Sequence, residues 1–440
     1  MTVAVVGGGL AGRTAALDLA QRGVAVTLVD GGPGATALCG GSLDVAAASP
    51  GVSWLPWRDP LQGRPLAPRE RLRLLLANAP THPYRVLFGD DDVAATAALE
   101  AGVERLRGWL APSGLAVEGS LDDARVLPNL PGTVRVADYA LTGPAGADVR
   151  EVEEVVWVDV PGLEGWDPSY AARTLAYDLE ALGLVAPKVR VLRGTWPEAL
   201  RGPRVARIAP RLDRAEQQTM LCDALRGEGA AGRLLLVPPV LGIDHVAACI
   251  GRLEEAAGGR VSEALGHAPH ATAGFRLQRG LVAACGRLEV RRGRVAGVRE
   301  AADGFQIRFE DEASLACAAL VLATGRFAGG GVSAHAVVRE PLLGLPLHDS
   351  EGRRVDGIPA HRSVRKGYAN AQPLYTAGVR VDASMRPLTA KGAVRHARLF
   401  CAGDLIGGFD PARERTGMGV ALATALRATE QVAALVGAGA

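Results

Sequence analysis

Cysteine is scarce in this chain, and the few cysteines stand far apart. The six among 440 residues are Cys39, Cys222, Cys249, Cys285, Cys317 and Cys401, and no two have the C-x-x-C spacing. This excludes an iron–sulfur cluster or a zinc centre built from a local motif of this chain, and it favours free thiols in a reducing compartment. His267 and His270 have no carboxylate or thiol at metal spacing beside them, so we predict no metal site.

An excess of charge and a long apolar run are also missing. The formal net charge is +2 and no basic block occurs, so nothing indicates a nucleic-acid partner. No uncharged apolar stretch reaches the ~18 residues of a membrane span, and Arg427 and Glu430 interrupt the apolar C-terminus. The first predicted strand begins at residue 3, which leaves no room for a signal peptide. We therefore expect a cytoplasmic protein, with any contact at the inner membrane made through a partner.

The strongest positive signal lies at the N-terminus. Residues 3–30 read VAVVGGGLAGRTAALDLAQRGVAVTLVD, an apolar strand, a glycine turn, a helix and a second apolar strand. In such a unit Gly7 permits the tight turn, Gly9 lets the backbone approach a pyrophosphate, and Gly12 lets the helix pack on the sheet. Asp30 ends the second strand, where a carboxylate suits a ribose hydroxyl. The pattern predicts a dinucleotide-binding βαβ unit.

Further glycine motifs recur later in the chain. They are Cys39-Gly40-Gly41-Ser42-Leu43-Asp44, the run ATGRFAGGG at 323–331, Ala402-Gly403-Asp404 and Gly407-Gly408. Together with the βαβ unit, they resemble FAD-dependent dehydrogenases of the fumarate reductase and succinate dehydrogenase type.

A finer resemblance is to the B subunits of the anaerobic glycerol-3-phosphate dehydrogenases. The residues that carry it are Gly41-Ser42-Leu43-Asp44, His82-Pro83-Tyr84, residues 129–133, Arg339-Glu340-Pro341, residues 343–346 and Gly407-Gly408-Phe409-Asp410-Pro411. The segment from about 84 to 250 matches little beyond these positions.

The resemblance implies an α/β fold, a Rossmann-like FAD-binding domain with an inserted α+β cap domain. Changes in composition and pattern suggest the boundaries of five segments. The FAD-binding domain would comprise residues 1–80, 273–330 and 378–440, the cap 81–272, and a cap-like segment 331–377.

The resemblance also implies which residues bind the cofactor. Besides the βαβ residues, the candidates are Gly40, Gly41, Ser42, Thr324, Gly325, Gly403, Asp404, Gly417, Met418 and Gly419. A surface glycine turn at 40–42 and an ordinary helix start at 417–419 are the alternatives. Because the βαβ unit and Gly403-Asp404 together address both ends of a dinucleotide, we expect FAD rather than FMN. Relatives with covalent flavin carry a histidine shortly before the paired glycines, and residues 34–39 contain none, so we expect the FAD to be non-covalent.

Candidates for catalysis are charged residues of the cap-like segment 331–377, together with Arg276 outside it. Oxidation of a secondary alcohol requires a base, and a phosphorylated substrate requires fixed cations. His335 and His361 are the candidate bases, and Arg339, Lys366 and Arg276 are candidate cations. The alternative for each of them, taken alone, is an ordinary surface or core residue.

Two functional hypotheses follow from the resemblance. In the first, the chain oxidises sn-glycerol 3-phosphate to dihydroxyacetone phosphate and passes electrons toward quinone. Its partners would be a catalytic flavoprotein subunit and an iron–sulfur subunit of a membrane-associated complex. In the second, the chain is a non-catalytic, flavin-carrying relay or scaffold subunit. A reductase or oxidase of another small acid is a third possibility.

Overall fold

A parallel five-stranded sheet forms the centre of the molecule. The computed structural model describes residues 2–47, 56, 58, 63–367 and 372–437. The strands, in spatial order, are Glu289–Arg292, Val26–Asp30, Val3–Val6, Ala319–Leu322 and Leu399–Cys401. The central strand pairs Val3 with Val26 on one side and with Ala319 on the other. Its four residues are all buried, as expected for an apolar run with both faces of the sheet covered.

Two helices cover this sheet and bury a shared carboxylate. The N-terminal helix, Leu10–Gln21, packs against the C-terminal helix, Gly417–Gly437. Asp18 on the first helix is 3% exposed and accepts a hydrogen bond from Thr429 on the second. It also pairs with Arg22 at 2.7 Å and with Arg105 at 2.5 Å. This charge is therefore compensated, and it joins three helices, the third being Asp92–Leu110.

An antiparallel sheet connects two strands of the central sheet. Its strands are Val295–Ala301, Gly304–Phe309 and Ser314–Cys317. The alternation at 304–309 predicts such a strand, and the structure confirms it: Phe305, Ile307 and Phe309 are buried while Arg308 is exposed.

The inserted region contains a second parallel sheet. Its four strands, in spatial order, are Arg260–Glu263, Arg233–Val237, Glu154–Val158 and Lys188–Leu192. The helices associated with it are Pro168–Ala181, Val205–Ile208, Ala215–Ala224 and Val246–Ala257. Smaller antiparallel strands lie beside it: Arg125–Pro128 with Val134–Ala137, and Tyr139–Leu141 between Ser42–Leu43 and Val117–Gly119. Through Ser42–Leu43 the N-terminal segment is thus hydrogen-bonded to the inserted region.

The remaining elements are short ones and two longer helices. They are the helices Pro68–Asn78, Pro83–Phe88, Thr272–Ala284 and Pro373–Thr376, and the strands Leu347–His348 and Gly378–Val379. Within the described ranges, no helix combines the length and apolarity needed to span a bilayer.

Candidate functional site

A cavity of about 800 Å³ lies at the carboxyl ends of the central strands. Parallel sheets of this kind bind ligands at that edge. Its walls come from segments distant in sequence: 6–11, 29, 31–36, 39 and 42–44, 293–296, 323–330, 341–342, 404, 411, 415 and 417–418. Most of these segments are the glycine motifs that the sequence singled out.

The glycine turn after the first strand forms one end of the cavity. Gly7 has φ +130°, and a Cβ there would overlap the carbonyl oxygen of Ala323. A Cβ on Gly12 would overlap the carbonyl oxygen of Gly7. A Cβ on Gly9 would meet only Thr36 Oγ1, at 3.3 Å. Gly7 and Gly12 are therefore required by packing, whereas Gly9 leaves space on the cavity side.

Asp30 is fixed behind this turn by a buried arginine. Arg13, 1% exposed, donates from Nη2 to Asp30 Oδ2 at 2.6 Å and from Nε to the Gly8 carbonyl oxygen at 2.9 Å. A Cβ on Gly8 would overlap the Asp30 carboxylate. Sequence reasoning missed both Arg13 and Gly8. The available signal was an arginine inside an otherwise apolar helix, LAGRTAALDLA.

The loop at 39–44 forms the wall facing the inserted region. Cys39, Ser42 and Asp44 line the cavity. Gly40 and Gly41 instead pack away from it, since added Cβ atoms would overlap the Gly266 carbonyl oxygen and lie 2.6 Å from Pro144, respectively. Burial raises the pKa of the Cys39 thiol, which accepts the Gly41 N–H at 3.4 Å.

Two buried polar atoms in the walls lack a hydrogen bond. Thr324 Oγ1 and Asp404 Oδ1 have no hydrogen-bond partner among the described residues, although Asp404 lies 3.3 Å from Arg326 Nη2. Burial raises the pKa of Asp404. Buried polar atoms normally have partners, so these two fit a polar ligand in the cavity. Gly325 also lines it, whereas Gly403 packs against Ala11.

The C-terminal helix begins at the cavity. Gly417 and Met418 line the cavity. Gly419 lies one residue further along and packs on the Tyr84 hydroxyl, where no Cβ could fit. The positive end of the helix dipole at 417 favours negative charge nearby.

Two arginines that sequence reasoning missed also line the cavity. Arg135 donates from Nε to Asp44 Oδ2 at 3.0 Å. Arg415 has φ +50°, and burial together with the nearby charge of Arg135 lowers its pKa to about 10. Two guanidinium groups beside one wall carboxylate give this part of the cavity a positive charge. Arg135 carried no sequence signal because its segment matched nothing, and Arg415 could have been noticed from its position two residues before Gly417.

Arg326, by contrast, donates its hydrogen bonds to backbone carbonyl oxygens of neighbouring segments. Its guanidinium donates to the carbonyl oxygens of Asp404 at 3.2 Å, Ile406 at 3.1 Å and Phe409 at 3.3 Å, and also to that of Tyr375. These contacts fix the loop after the last sheet strand.

The structure does not bring the five predicted catalytic residues to the cavity walls. His335, Arg339, His361 and Lys366 are exposed. Arg276 is buried between the helix Thr272–Ala284 and the second sheet, where Nη1 pairs with Glu263 Oε2 at 2.6 Å and Nη2 donates to the Gly242 carbonyl oxygen. Its charge is already compensated there, so the geometry gives Arg276 a structural role in place of the predicted substrate contact.

A buried acid behind Arg415 predicts a dependence of stability on pH. Burial raises the pKa of Glu414 from 4.5 to about 8. Between these values the folded state keeps a proton that the unfolded state has lost, so the free energy of unfolding falls as pH rises. At 1.36 kcal/mol per pKa unit, the loss is on the order of several kcal/mol.

Glu414→Gln should abolish this fall. Thermal unfolding of both proteins across that pH window should give equal midpoints at the acid end and a higher midpoint for Glu414→Gln at the alkaline end. Parallel curves would show that Glu414 ionises normally.

Comparison with known proteins gives three kinds of match. A family model described as FAD binding domain matches residues 2–420. The B subunit of the anaerobic glycerol-3-phosphate dehydrogenase of Yersinia pseudotuberculosis is 28% identical over 98% of this chain and 97% of that protein. The protein of the same name from Pectobacterium atrosepticum is 29% identical over 98% of each.

Solved structures match over nearly the whole chain at low identity. A 3-ketosteroid dehydrogenase from Sterolibacterium denitrificans has a TM-score of 0.41 and 12% identity, covering 99% of this chain and 100% of that one. A chain of the quinol fumarate reductase of E. coli has a TM-score of 0.40 and 10% identity, covering 100% of this chain and 71% of that one.

Proposed function

This chain belongs to the FAD binding domain family, and from that premise we propose that it is a flavoprotein subunit of a glycerol-3-phosphate dehydrogenase. It would oxidise sn-glycerol 3-phosphate to dihydroxyacetone phosphate and pass the electrons toward quinone. The observation that carries the proposal is the pair Arg135 and Arg415 in the wall of the cofactor cavity. The names of the relatives support the substrate and the role as a subunit.

FAD is the cofactor, and the cavity walls suit its two ends. We assign the pyrophosphate to the free space at Gly9 beside the start of the N-terminal helix, where N–H groups and the helix dipole favour phosphate. Thr324 and Asp404 supply the buried polar atoms for the middle of the cofactor. Gly417 and Met418 begin the helix whose positive end would face its isoalloxazine ring. Asp30 stands between the lining residues Val29 and Gly31, and we assign it to a ribose hydroxyl, as predicted from the sequence.

The wall between Asp44 and Arg415 would hold the substrate. A phosphate monoester carries nearly two negative charges at pH 7. Arg415, and Arg135 beside its ion-pair partner Asp44, can donate charge-assisted hydrogen bonds to it. Asp44 is the wall carboxylate beside them and is placed to accept the proton of the substrate hydroxyl. When bound, FAD supplies the acceptor for the hydride that leaves the carbon bearing this hydroxyl.

The complex would contain two further chains. The relatives are named as a B subunit, which supports partners. We propose a second flavoprotein subunit and an iron–sulfur subunit that holds the assembly at the membrane. A steady-state assay with an artificial electron acceptor tests the activity, comparing the chain alone with the purified complex. Turnover of glycerol 3-phosphate by the chain alone is the expected result. If the chain alone is inactive and activity appears only when the other flavoprotein subunit is present, the relay role is favoured.

The FAD should leave the protein on denaturation. Residues 31–41 contain no histidine that could form a covalent bond to the flavin ring. Acid precipitation should therefore release all the flavin, and chromatography of the supernatant should identify it as FAD. In-gel fluorescence of the unfolded chain, or a stoichiometric yield of FMN, would contradict this.

A further inference from the structure

We propose that His82 and Tyr84 are positioning residues, which hold Arg415 in the cavity wall by supporting the turn 410–417 from behind. The inference rests on the proposed function, because Arg415 is the group assigned to the substrate phosphate. It gives a role to His82-Pro83-Tyr84, a motif that does not line the cavity.

His82 is held in one tautomer and aimed at the turn. Its side chain is fully buried, and Nδ1 accepts the Tyr84 N–H at 3.1 Å. The proton of the neutral ring must then be on Nε2, which lies 3.1 Å from Thr416 Oγ1. Burial lowers the pKa of His82 to about 3, so the ring stays neutral. Because Thr416 directly follows Arg415, this hydrogen bond fixes the backbone next to the arginine.

Tyr84 connects the turn to the opposite wall. Its hydroxyl donates to the Val45 carbonyl oxygen at 2.9 Å and lies 3.4 Å from the Thr416 carbonyl oxygen. Val45 follows Asp44, and Thr416 follows Arg415. The buried Tyr84 hydroxyl therefore lies behind both Asp44 and Arg415. The absence of a side chain at Gly419 makes room for it.

Arg415 needs such support because of its backbone. Its φ of +50° is a conformation that non-glycine residues rarely adopt and that persists where the surroundings hold it. Glu414 also supports the turn, since Oε1 accepts the Asp410 N–H at 3.1 Å and Oε2 lies 3.6 Å from His82 Nε2. The Phe409 ring packs edge-on against His82, 5.3 Å between centroids. His82 therefore contacts the turn at Glu414 and Thr416, the residues on either side of Arg415, and contacts Phe409 just before it.

The test measures binding of inorganic phosphate to the FAD-loaded protein. The absorbance change of the bound flavin reports the binding. His82→Leu should keep FAD and weaken phosphate binding about tenfold, and His82→Gln, which can still donate to Thr416, should restore most of the affinity. His270→Leu is the matched control, since His270 is also buried but lies in the inserted region. It should bind phosphate like the native protein.

A double-mutant comparison separates positioning from general destabilisation. If His82 acts through Arg415, then His82→Leu should change phosphate affinity little in an Arg415→Ala background. Tyr84→Phe removes only the hydroxyl and should weaken phosphate binding several-fold with FAD retained.

Unchanged phosphate affinity in His82→Leu and Tyr84→Phe, additive losses in the Arg415→Ala background, or loss of FAD from both variants would overturn the proposal. Failure of the proposed function shows separately, as native protein that binds phosphate but is not reduced by glycerol 3-phosphate.

Discussion

Gly9→Val should yield a folded protein that contains no FAD. The Cβ would lie 3.3 Å from the Thr36 hydroxyl and touch nothing else within 4 Å, so the polypeptide itself can accommodate the change. The two methyl groups would occupy the space at the start of the N-terminal helix where the pyrophosphate approaches the backbone. Gly7 and Gly12 do not allow this test, because a Cβ there would overlap backbone atoms.

The measurement is the flavin content of purified Gly9→Val, with circular dichroism to verify the fold. Gly108→Val is the control, since Gly108 is exposed on the helix Asp92–Leu110 with no neighbour near its Cβ position. The control should contain as much FAD as the native chain. Normal flavin content in Gly9→Val would mean that the pyrophosphate lies elsewhere.

Arg135→Met and Arg415→Met should each reduce kcat/KM for glycerol 3-phosphate by roughly ten- to a hundredfold. A hydrogen bond to a charged group contributes about 1.5–3 kcal/mol, and 1.36 kcal/mol corresponds to a tenfold change in rate. Methionine preserves much of the side-chain volume, so the loss reports charge. In Arg415→Met, oxidation of unphosphorylated glycerol, which makes no phosphate contact, should change far less, whereas Arg135→Met also removes the ion-pair partner of Asp44.

Arg308→Met provides the matched control, because Arg308 is exposed on the antiparallel sheet. It should retain native activity. If both cavity variants retain native kcat/KM with FAD bound, the phosphate does not bind at this wall and the substrate assignment is wrong.

The N-terminal unit could be predicted because its signal is local. The alternation of apolar strand, glycine turn and helix within residues 3–30 determines that the turn faces the carboxyl edge of a parallel sheet. The later glycine motifs were also found, and Thr324, Gly325 and Asp404 do line the same cavity as Gly9. The resemblance to one family indicated that these separate motifs belong to one cofactor site, which their spacing alone could not indicate.

Charged residues behaved differently, because their role depends on contacts far apart in sequence. The sequence does not show that His335 is exposed while Arg276 is buried. Nor does it show that the charge of Arg276 is neutralised by Glu263. Arg135 lies on the strand Val134–Ala137, in a segment that carried no recognisable motif. The sequence therefore did not indicate that its side chain lines the cavity. Asp30 and the buried Arg13 form an ion pair that a helix pattern gives no means to predict.

The most direct test mixes the purified FAD-loaded chain with glycerol 3-phosphate in the absence of oxygen and follows the visible absorbance of the oxidised flavin. The account predicts rapid and complete bleaching that saturates with glycerol 3-phosphate, and far slower bleaching with glycerol at the same concentration. Bleaching that occurs only when another flavoprotein subunit is added, or an equal response to glycerol, would contradict the claim that this chain oxidises the phosphorylated alcohol in its own cavity.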